Sequence, residues 1–286
     1  MTLSEAKARG LRIRNEPPAP YRCEYCGFVV EPEGIILGNE VFRWRDVTRC
    51  KCPEAQKQWE EYDKKQSVLE QEKREEEERE ERQRRIDRLL GSSGIKKRFM
   101  QRTFENFQRD TPGRSYSYKA AKFYADNWDK IKDSGKGLYF EGTNGTGKTH
   151  LAAAVALQLI GNGVPVICKT GADILQDVKR AYDNPEVKEQ QILDIYKNTD
   201  LLIIDDLGKE QCSEWSMTTL YSIINDRYES MKPIIITTNY NTEELADALS
   251  PRGSDSTKID AILSRLRETS TVITMAWDDI RGTGKY

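Results

Sequence analysis

Gly142-Thr143-Asn144-Gly145-Thr146-Gly147-Lys148-Thr149 sets glycines, a lysine and a threonine at the spacing G-x-x-x-x-G-K-[ST]. Glycines there let backbone N–H groups turn inward around phosphate oxygens, and a helix starting at the loop's end adds its positive pole. Lys148 supplies a point charge to the β/γ-phosphates and Thr149 a hydroxyl to Mg²⁺. His150 follows directly, so the candidate nucleotide contacts are Gly142, Thr143, Asn144, Gly145, Thr146, Gly147, Lys148, Thr149 and His150. A second constellation is Leu201-Leu202-Ile203-Ile204-Asp205-Asp206, an apolar strand ending in two acids. The first acid reaches Mg²⁺, directly or through water, and the second polarises the attacking water. A third apolar run, Pro233 to Thr238, ends at Asn239, whose amide suits the lytic water or the γ-phosphate. Read alone, Asn239 is better taken as a turn residue capping a helix from Thr242 or Glu243, and only its company with the other two constellations favours the catalytic reading.

Four cysteines offer different chemistry. Cys23-Glu24-Tyr25-Cys26 and Cys50-Lys51-Cys52 give C-x2-C followed by C-x-C, and four thiolates in two close pairs close a tetrahedral Zn²⁺ shell with no open position. So small a module buries too little apolar surface to fold unaided, and structural zinc supplies that stability. Free thiols or a redox pair are the competing readings. Tyr21, Tyr25, Phe42 and Trp44 read as this module's core or as a protein-docking face rather than as base-stacking rings. Five basic and five acidic residues between Tyr21 and Cys52 cancel, which removes the charge that nucleic acid requires. Cys168 and Cys212 stand apart, and Cys168 reads as a buried strand residue.

The elements that must position these groups are legible as composition shifts. Gly137–Glu141 reads as a short strand into the glycine loop, and His150–Ile160 as the helix after it. Apolar strands alternating with amphipathic helices from about Phe99 onward predict an α/β fold with a parallel sheet flanked by helices. Between Glu54 and Leu90, 23 of 37 residues are charged and no glycine or proline intervenes. A coiled coil lacks its apolar seam there, since no apolar residue lies between Leu69 and Ile86. Disorder competes, but Glu75–Arg79, Glu78–Arg82, Glu80–Arg84 and Glu81–Arg85 are i,i+4 pairs in the better orientation, so a solvated helix is favoured. Gly91-Ser92-Ser93-Gly94 then reads as a hinge. The expected domains are a zinc-binding module over 1–53, a charged helical linker over 54–94 and a nucleotide-binding domain over 95–286. Net charge is −2 over 286 residues, which gives the whole chain no basic footprint. No 18-residue apolar run occurs and the N-terminus has no hydrophobic signal core, so a cytoplasmic protein without a membrane partner is expected.

The loop, the double-acid strand and the strand ending Thr-Thr-Asn together resemble an AAA+ ATPase. Within that class the chain resembles the DnaC/DnaI-type replicative helicase loaders and the related IstB transposition ATPases. The residues that carry this are Phe104-Glu105-Asn106-Phe107, Gly142 to Leu151, Asp205-Asp206-Leu207-Gly208, Asn225-Asp226-Arg227-Tyr228, Thr237-Thr238-Asn239 and Ser264-Arg265-Leu266. The N-terminal cysteine module looks like the zinc-binding adaptor of the DnaI branch. The resemblance implies ATP and Mg²⁺ as ligands, Lys148, Asp205 and Asp206 as catalytic groups, and Asn239 as sensor 1. It also implies Arg265 as an arginine finger acting on a neighbouring subunit and Arg281 near the sensor 2 position. Partners implied are a hexameric replicative helicase, single-stranded DNA and further copies of the chain, in a bacterial cytoplasm or that of a phage host. The alternative it leaves open is an ATPase that helps a transposase select its target. On the helix Lys258–Glu268 the residues alone do not choose between Arg265 and Arg267, which lie on opposite flanks of the apolar face. Two departures matter: Asp206 stands where most AAA+ proteins carry Glu, which implies slow turnover, and the stretch after Asn239 is short, which implies a reduced or absent lid and hydrolysis that depends on a neighbour or partner.

Overall fold

A computed structural model describes residues 1–45, 48–182, 189–210, 213–250 and 257–277. Contacts divide the chain into two units, Met1–Glu80 and Glu81–Tyr286. In the first unit, α1 (Leu3–Ala8) opens with a capping box between Thr2 and Glu5. Five short strands follow: β1 (Arg12–Ile13), β2 (Tyr21–Arg22), β3 (Val29–Val30), β4 (Gly34–Leu37) and β5 (Glu40–Trp44). β2 and β3 pair as an antiparallel ribbon, while β1, β5 and β4 form a three-stranded sheet. Two small clusters replace a single core: Ala6, Val41 and Trp44 in one, and Cys23, Val30, Cys50 and Ala55 in the other. Of the four aromatics in question only Trp44 is core, at 6% exposed; Tyr21, Tyr25 and Phe42 stand at 39%, 50% and 51%.

α2 (Pro53–Ser92) is one helix of 40 residues. Its final turns belong to the second unit, where Ile86, Leu89 and Leu90 pack on the core. There Arg82 and Arg85 donate to the carbonyls of Gly161 and Gly163, at the end of a following helix. The expected hinge at Gly91–Gly94 is corrected. The helix runs through Gly91 to Ser92, Ser93 is fully buried, and its carbonyl accepts from Cys168 N at 2.7 Å.

The second unit continues with α3 (Pro112–Asp126), α4 (Trp128–Ile131), β6 (Gly137–Glu141), α5 (Lys148–Gly161), β7 (Val166–Thr170) and α6 (Gly171–Tyr182). After these come α7 (Glu189–Asn198), β8 (Leu201–Asp205), α8 (Glu214–Glu229), β9 (Ile234–Thr238), α9 (Thr242–Leu249), α10 (Thr257–Thr269) and β10 (Ser270–Thr274). The five strands form a wholly parallel sheet in the order β10-β6-β9-β8-β7. Strand alternation divides the core. Leu138, Phe140, Leu201, Ile203 and Ile235 face α3 and α5, while Tyr139, Leu202, Ile204, Ile234 and Ile236 face the cluster built by α6 to α10. α5 is apolar nearly all round and buried from Leu151 to Ala156, because both sheet and helices cover it. Asn225-Asp226-Arg227-Tyr228 proves to hold a clamp. Arg227 is fully buried, and its guanidinium donates to the carbonyls of Tyr196, Lys197, Thr199, Asp200 and Pro233. It thus ties the turns that launch β8 and β9. Among the described residues no helix is long and apolar enough to cross a membrane.

Candidate nucleotide and metal sites

The glycine loop joins the carboxyl end of β6 to the N-terminus of α5, and its shape depends on backbone that only glycine tolerates. Gly142 has φ +138°, and a Cβ there would stand 2.2 Å from the Met275 carbonyl oxygen. Gly147 has φ +98° at the cap of α5, and a Cβ would come within 2.9 Å of the Phe107 ring. Lys148 Nζ donates to the carbonyls of Gly142 and Thr143, both at 2.7 Å, which joins the loop's start to its end. Thr146 Oγ1 donates to Thr143 O inside the loop. Phe107 also meets His150 edge-on at 5.2 Å, so the Phe104–Phe107 segment forms the floor beneath the loop. His150 Nε2 lies 2.9 Å from the Thr103 carbonyl, which only accepts, so that nitrogen carries the proton. Burial holds the imidazole below its ordinary pKa, against the pull of the Thr103 carbonyl.

The two acids end β8 beside the loop. Thr149 Oγ1 donates to Asp205 Oδ1 at 2.7 Å, and Thr237 Oγ1 donates to the same oxygen at 2.6 Å. Burial raises the Asp205 carboxyl above its usual range, and the Thr237 and Thr149 hydroxyls partly oppose it. A hydroxyl and a carboxylate in contact form a hard oxygen donor set that fits Mg²⁺. Asp206 would point to the opposite face if β8 continued extended, but its φ of +56° breaks the alternation. Such a conformation costs about 1 kcal/mol or more for a non-glycine residue. Asp206 thereby lines one cleft with Asn144, Gly145, Lys148, Thr149, His150 and Asn239. Asn239 does not cap α9; Asn241 does, its side chain accepting from Glu244 N.

Further groups at this cleft escape a reading by motif. Arg98, Phe99, Arg102 and Lys209 also line it. Trp277, beyond β10, donates from Nε1 to Thr146 O at 3.0 Å and braces the loop from outside. Its ring carries Arg114 at 5.8 Å. No spacing rule marks such residues, because their approach is made by the sheet order, which sets β10 beside β6. Arg265 and Arg267 do not line this cleft. Arg265 lies between the rings of Tyr221 and Tyr228 on α8, at 5.3 and 5.4 Å, and donates to Ala261 O. Arg267 is exposed and donates to Thr242 Oγ1. Arg281 and Cys212 lie outside the described residues.

The first unit gathers Cys23, Cys26, Cys50 and Cys52 with all four Sγ atoms within 4.8 Å of one another. A tetrahedron with Zn–S bonds of about 2.3 Å requires sulfur separations of about 3.8 Å. Cys23–Cys52 at 3.9 Å and Cys26–Cys50 at 3.5 Å fit it. Backbone N–H groups of Cys26, then Tyr25, point at the Cys23 sulfur and bring its pKa down to about 7. At Cys26 the Phe28 N–H pulls the same way, but the Cys50 sulfur, desolvation and the other two sulfurs together push the thiol up to about 12, and Cys52 is raised as well. Cys52 sits at the start of α2 with its sulfur accepting from Ala55 N, so the same residue serves site and helix. Cys168 is buried in β7, and desolvation pushes its thiol far up.

Comparison with known proteins agrees with this geometry. The profile of the family described as IstB-like ATP binding protein matches residues 50–285. The replicative helicase loader DnaC of Escherichia coli (strain K12) is 31% identical over 204 residues, covering 70% of this chain and 78% of DnaC. A crystal structure of the DnaC helicase loader superposes with TM-score 0.53 at 26% identity, over 63% of this chain and 99% of that one. AMPPCP-bound DnaA from Aquifex aeolicus, at 24% identity and TM-score 0.51 over 62% of this chain and 50% of DnaA, shares the fold. The parallel sheet with its loop, double acid and Thr-Thr-Asn strand end is thus the AAA+ arrangement. The chain belongs to the IstB-like ATP binding protein family and is an AAA+ ATPase.

Proposed function

We propose that this chain is an ATP-dependent loader of a replicative DNA helicase, with ATP binding and slow hydrolysis switching between holding and releasing the helicase on single-stranded DNA. The similarity to DnaC over most of that protein's length carries the reading. In this scheme Gly142 to His150 cradle the triphosphate, and Lys148 exchanges its loop carbonyls for phosphate oxygens. Thr149 and Asp205 hold Mg²⁺, which when bound neutralises charge on the β/γ-phosphates. Asp206 polarises the attacking water, and Asn239 orients it from across the cleft. Phe99 and Arg102 border the nucleotide from the segment that precedes the sheet. Arg265, with Arg267 as the alternative, serves a neighbouring copy as arginine finger, and Arg281 takes the sensor 2 role. Hydrolysis therefore rises on self-assembly or on meeting a partner.

Zinc held by Cys23, Cys26, Cys50 and Cys52 folds the module over 1–53, which docks on the hexameric helicase. The helix over 54–94 links it to the ATPase domain over 95–286. The protein acts in the cytoplasm of a bacterium, or of a bacterial host if phage-encoded.

The test is co-elution of the purified chain with its host's replicative helicase on size exclusion, with ATP and again after zinc chelation. A complex lost on chelation or in Cys23→Ser supports the loader. Absence of a complex, with ATP-dependent binding to duplex DNA instead, overturns it in favour of a transposase-assisting ATPase.

A further inference from the structure

Lys209 Nζ lies 3.1 Å from Asp206 Oδ1. A turn after β8 makes the pair, with Lys209 N donating to Asp206 O at 3.4 Å. The backbone beneath Asp206 is fixed by two bonds to Thr237: Asp206 N donates to Thr237 Oγ1 at 2.9 Å, and Leu207 N donates to Thr237 O at 2.9 Å. With φ at +56° the side chain leaves the backbone on the cleft side, where the Lys209 ammonium meets its carboxylate. Both side chains line the nucleotide cleft, and both are partly open to water, at 33% for Asp206 and 46% for Lys209.

An acid that polarises water needs a free lone pair and its full negative charge. An ammonium in contact occupies Oδ1 and draws the carboxylate toward itself, so that water must compete for the remaining acceptor positions. Because the pair is partly solvated, its hold is modest and reversible. We propose that Lys209 is a positioning residue that engages Asp206 in competition with the attacking water and so acts as a brake on ATP hydrolysis by this chain. The inference rests on the reading of Asp206 as the water-polarising acid. The brake slows the chemical step and leaves nucleotide affinity alone, because Lys209 is spent on the carboxylate. Whatever draws the ammonium away, such as an acidic group of an assembling neighbour, releases hydrolysis without altering the loop that binds ATP.

Steady-state hydrolysis by the full chain, with nucleotide affinity measured separately by a fluorescent ATP analogue, tests this. Lys209→Met keeps the aliphatic stem and removes the charge. It is expected to raise kcat by up to about fivefold, the most a partly exposed ion pair supplies, with KM and analogue affinity unchanged. Lys209→Arg, which keeps the pair, is expected to restore the native rate. Asp206→Asn should abolish hydrolysis alone and in combination with Lys209→Met, with analogue binding retained. A Lys209→Met kcat equal to or below native, or a rise in KM that marks Lys209 as a phosphate ligand, overturns the proposal. Native-rate hydrolysis by Asp206→Asn would instead overturn the role of Asp206 itself, a separate result.

Discussion

Asp205 accepts two hydroxyls on one oxygen in a buried position, a placement that suits a cation and strains a bare carboxylate. Asp205→Asn removes the charge and keeps the shape. It is expected to reduce hydrolysis at least about a hundredfold, the scale of losing one preorganised electrostatic group. In metal-free buffer it should raise the thermal midpoint, because the desolvated charge is gone; a lower midpoint would contradict this account. His150 gives a pH dependence of definite sign. Burial depresses its folded pKa, so between that value and about 6.5 the unfolded chain binds more protons. Stability therefore rises with pH through the window and is lost as pH falls through the folded pKa. His150→Gln keeps a donor toward Thr103 and should flatten that part of a Tm-against-pH curve.

At the scale of elements, the junction before β8 and β9 is held by one side chain. Arg227 satisfies five backbone carbonyls from a fully buried position, which a helix end or turn does not do for itself. Arg227→Met fills similar volume and takes a donor from those acceptors, of which Pro233 O keeps a bond from Leu202 N at 3.4 Å. A loss of about 3 kcal/mol or more is expected, read from denaturant midpoints, with the cost of orphaned buried carbonyls as its cause. The consequence for the cleft is direct, since β8 delivers Asp205 and β9 delivers Thr237 and Asn239. The neighbouring ends of α2 and α5 show a milder version, with Arg82 and Arg85 on the carbonyls of Gly161 and Gly163.

For the whole molecule the contrast lies between a unit with a large two-faced core and one whose largest clusters hold only a few buried side chains. Calorimetry is expected to show two transitions, and chelation of zinc should abolish the one that belongs to Met1–Glu80 while sparing the other. A single transition unmoved by chelation would remove zinc from the account. If the ATPase assembles through a trans-acting arginine, mixing Arg265→Ala with Lys148→Ala should restore hydrolysis, because one copy supplies the cleft and the other the finger. Arg267→Ala in the same mixture separates the two candidates.

The amino-acid sequence by itself determined the phosphate loop, the double-acid strand, the Thr-Thr-Asn strand end and the long charged helix. Each is a local matter: glycine spacing dictates backbone freedom, apolar runs dictate buried strands, and uninterrupted charge with i,i+4 pairing dictates a helix. It also supplied the cysteine spacing, whose closing into one cluster needed the folded module. What only tertiary structure decided are approaches between distant segments. Trp277 reaches the loop because β10 lies beside β6, and Ser93 is pinned because the edge of β7 has a carbonyl partner there. Asp206 joins the cleft through a single left-handed residue, and Arg227 finds five carbonyls on the two segments that lead into β8 and β9. None of these leaves a periodic trace, because each depends on which strands become neighbours and not on the order in which they are written.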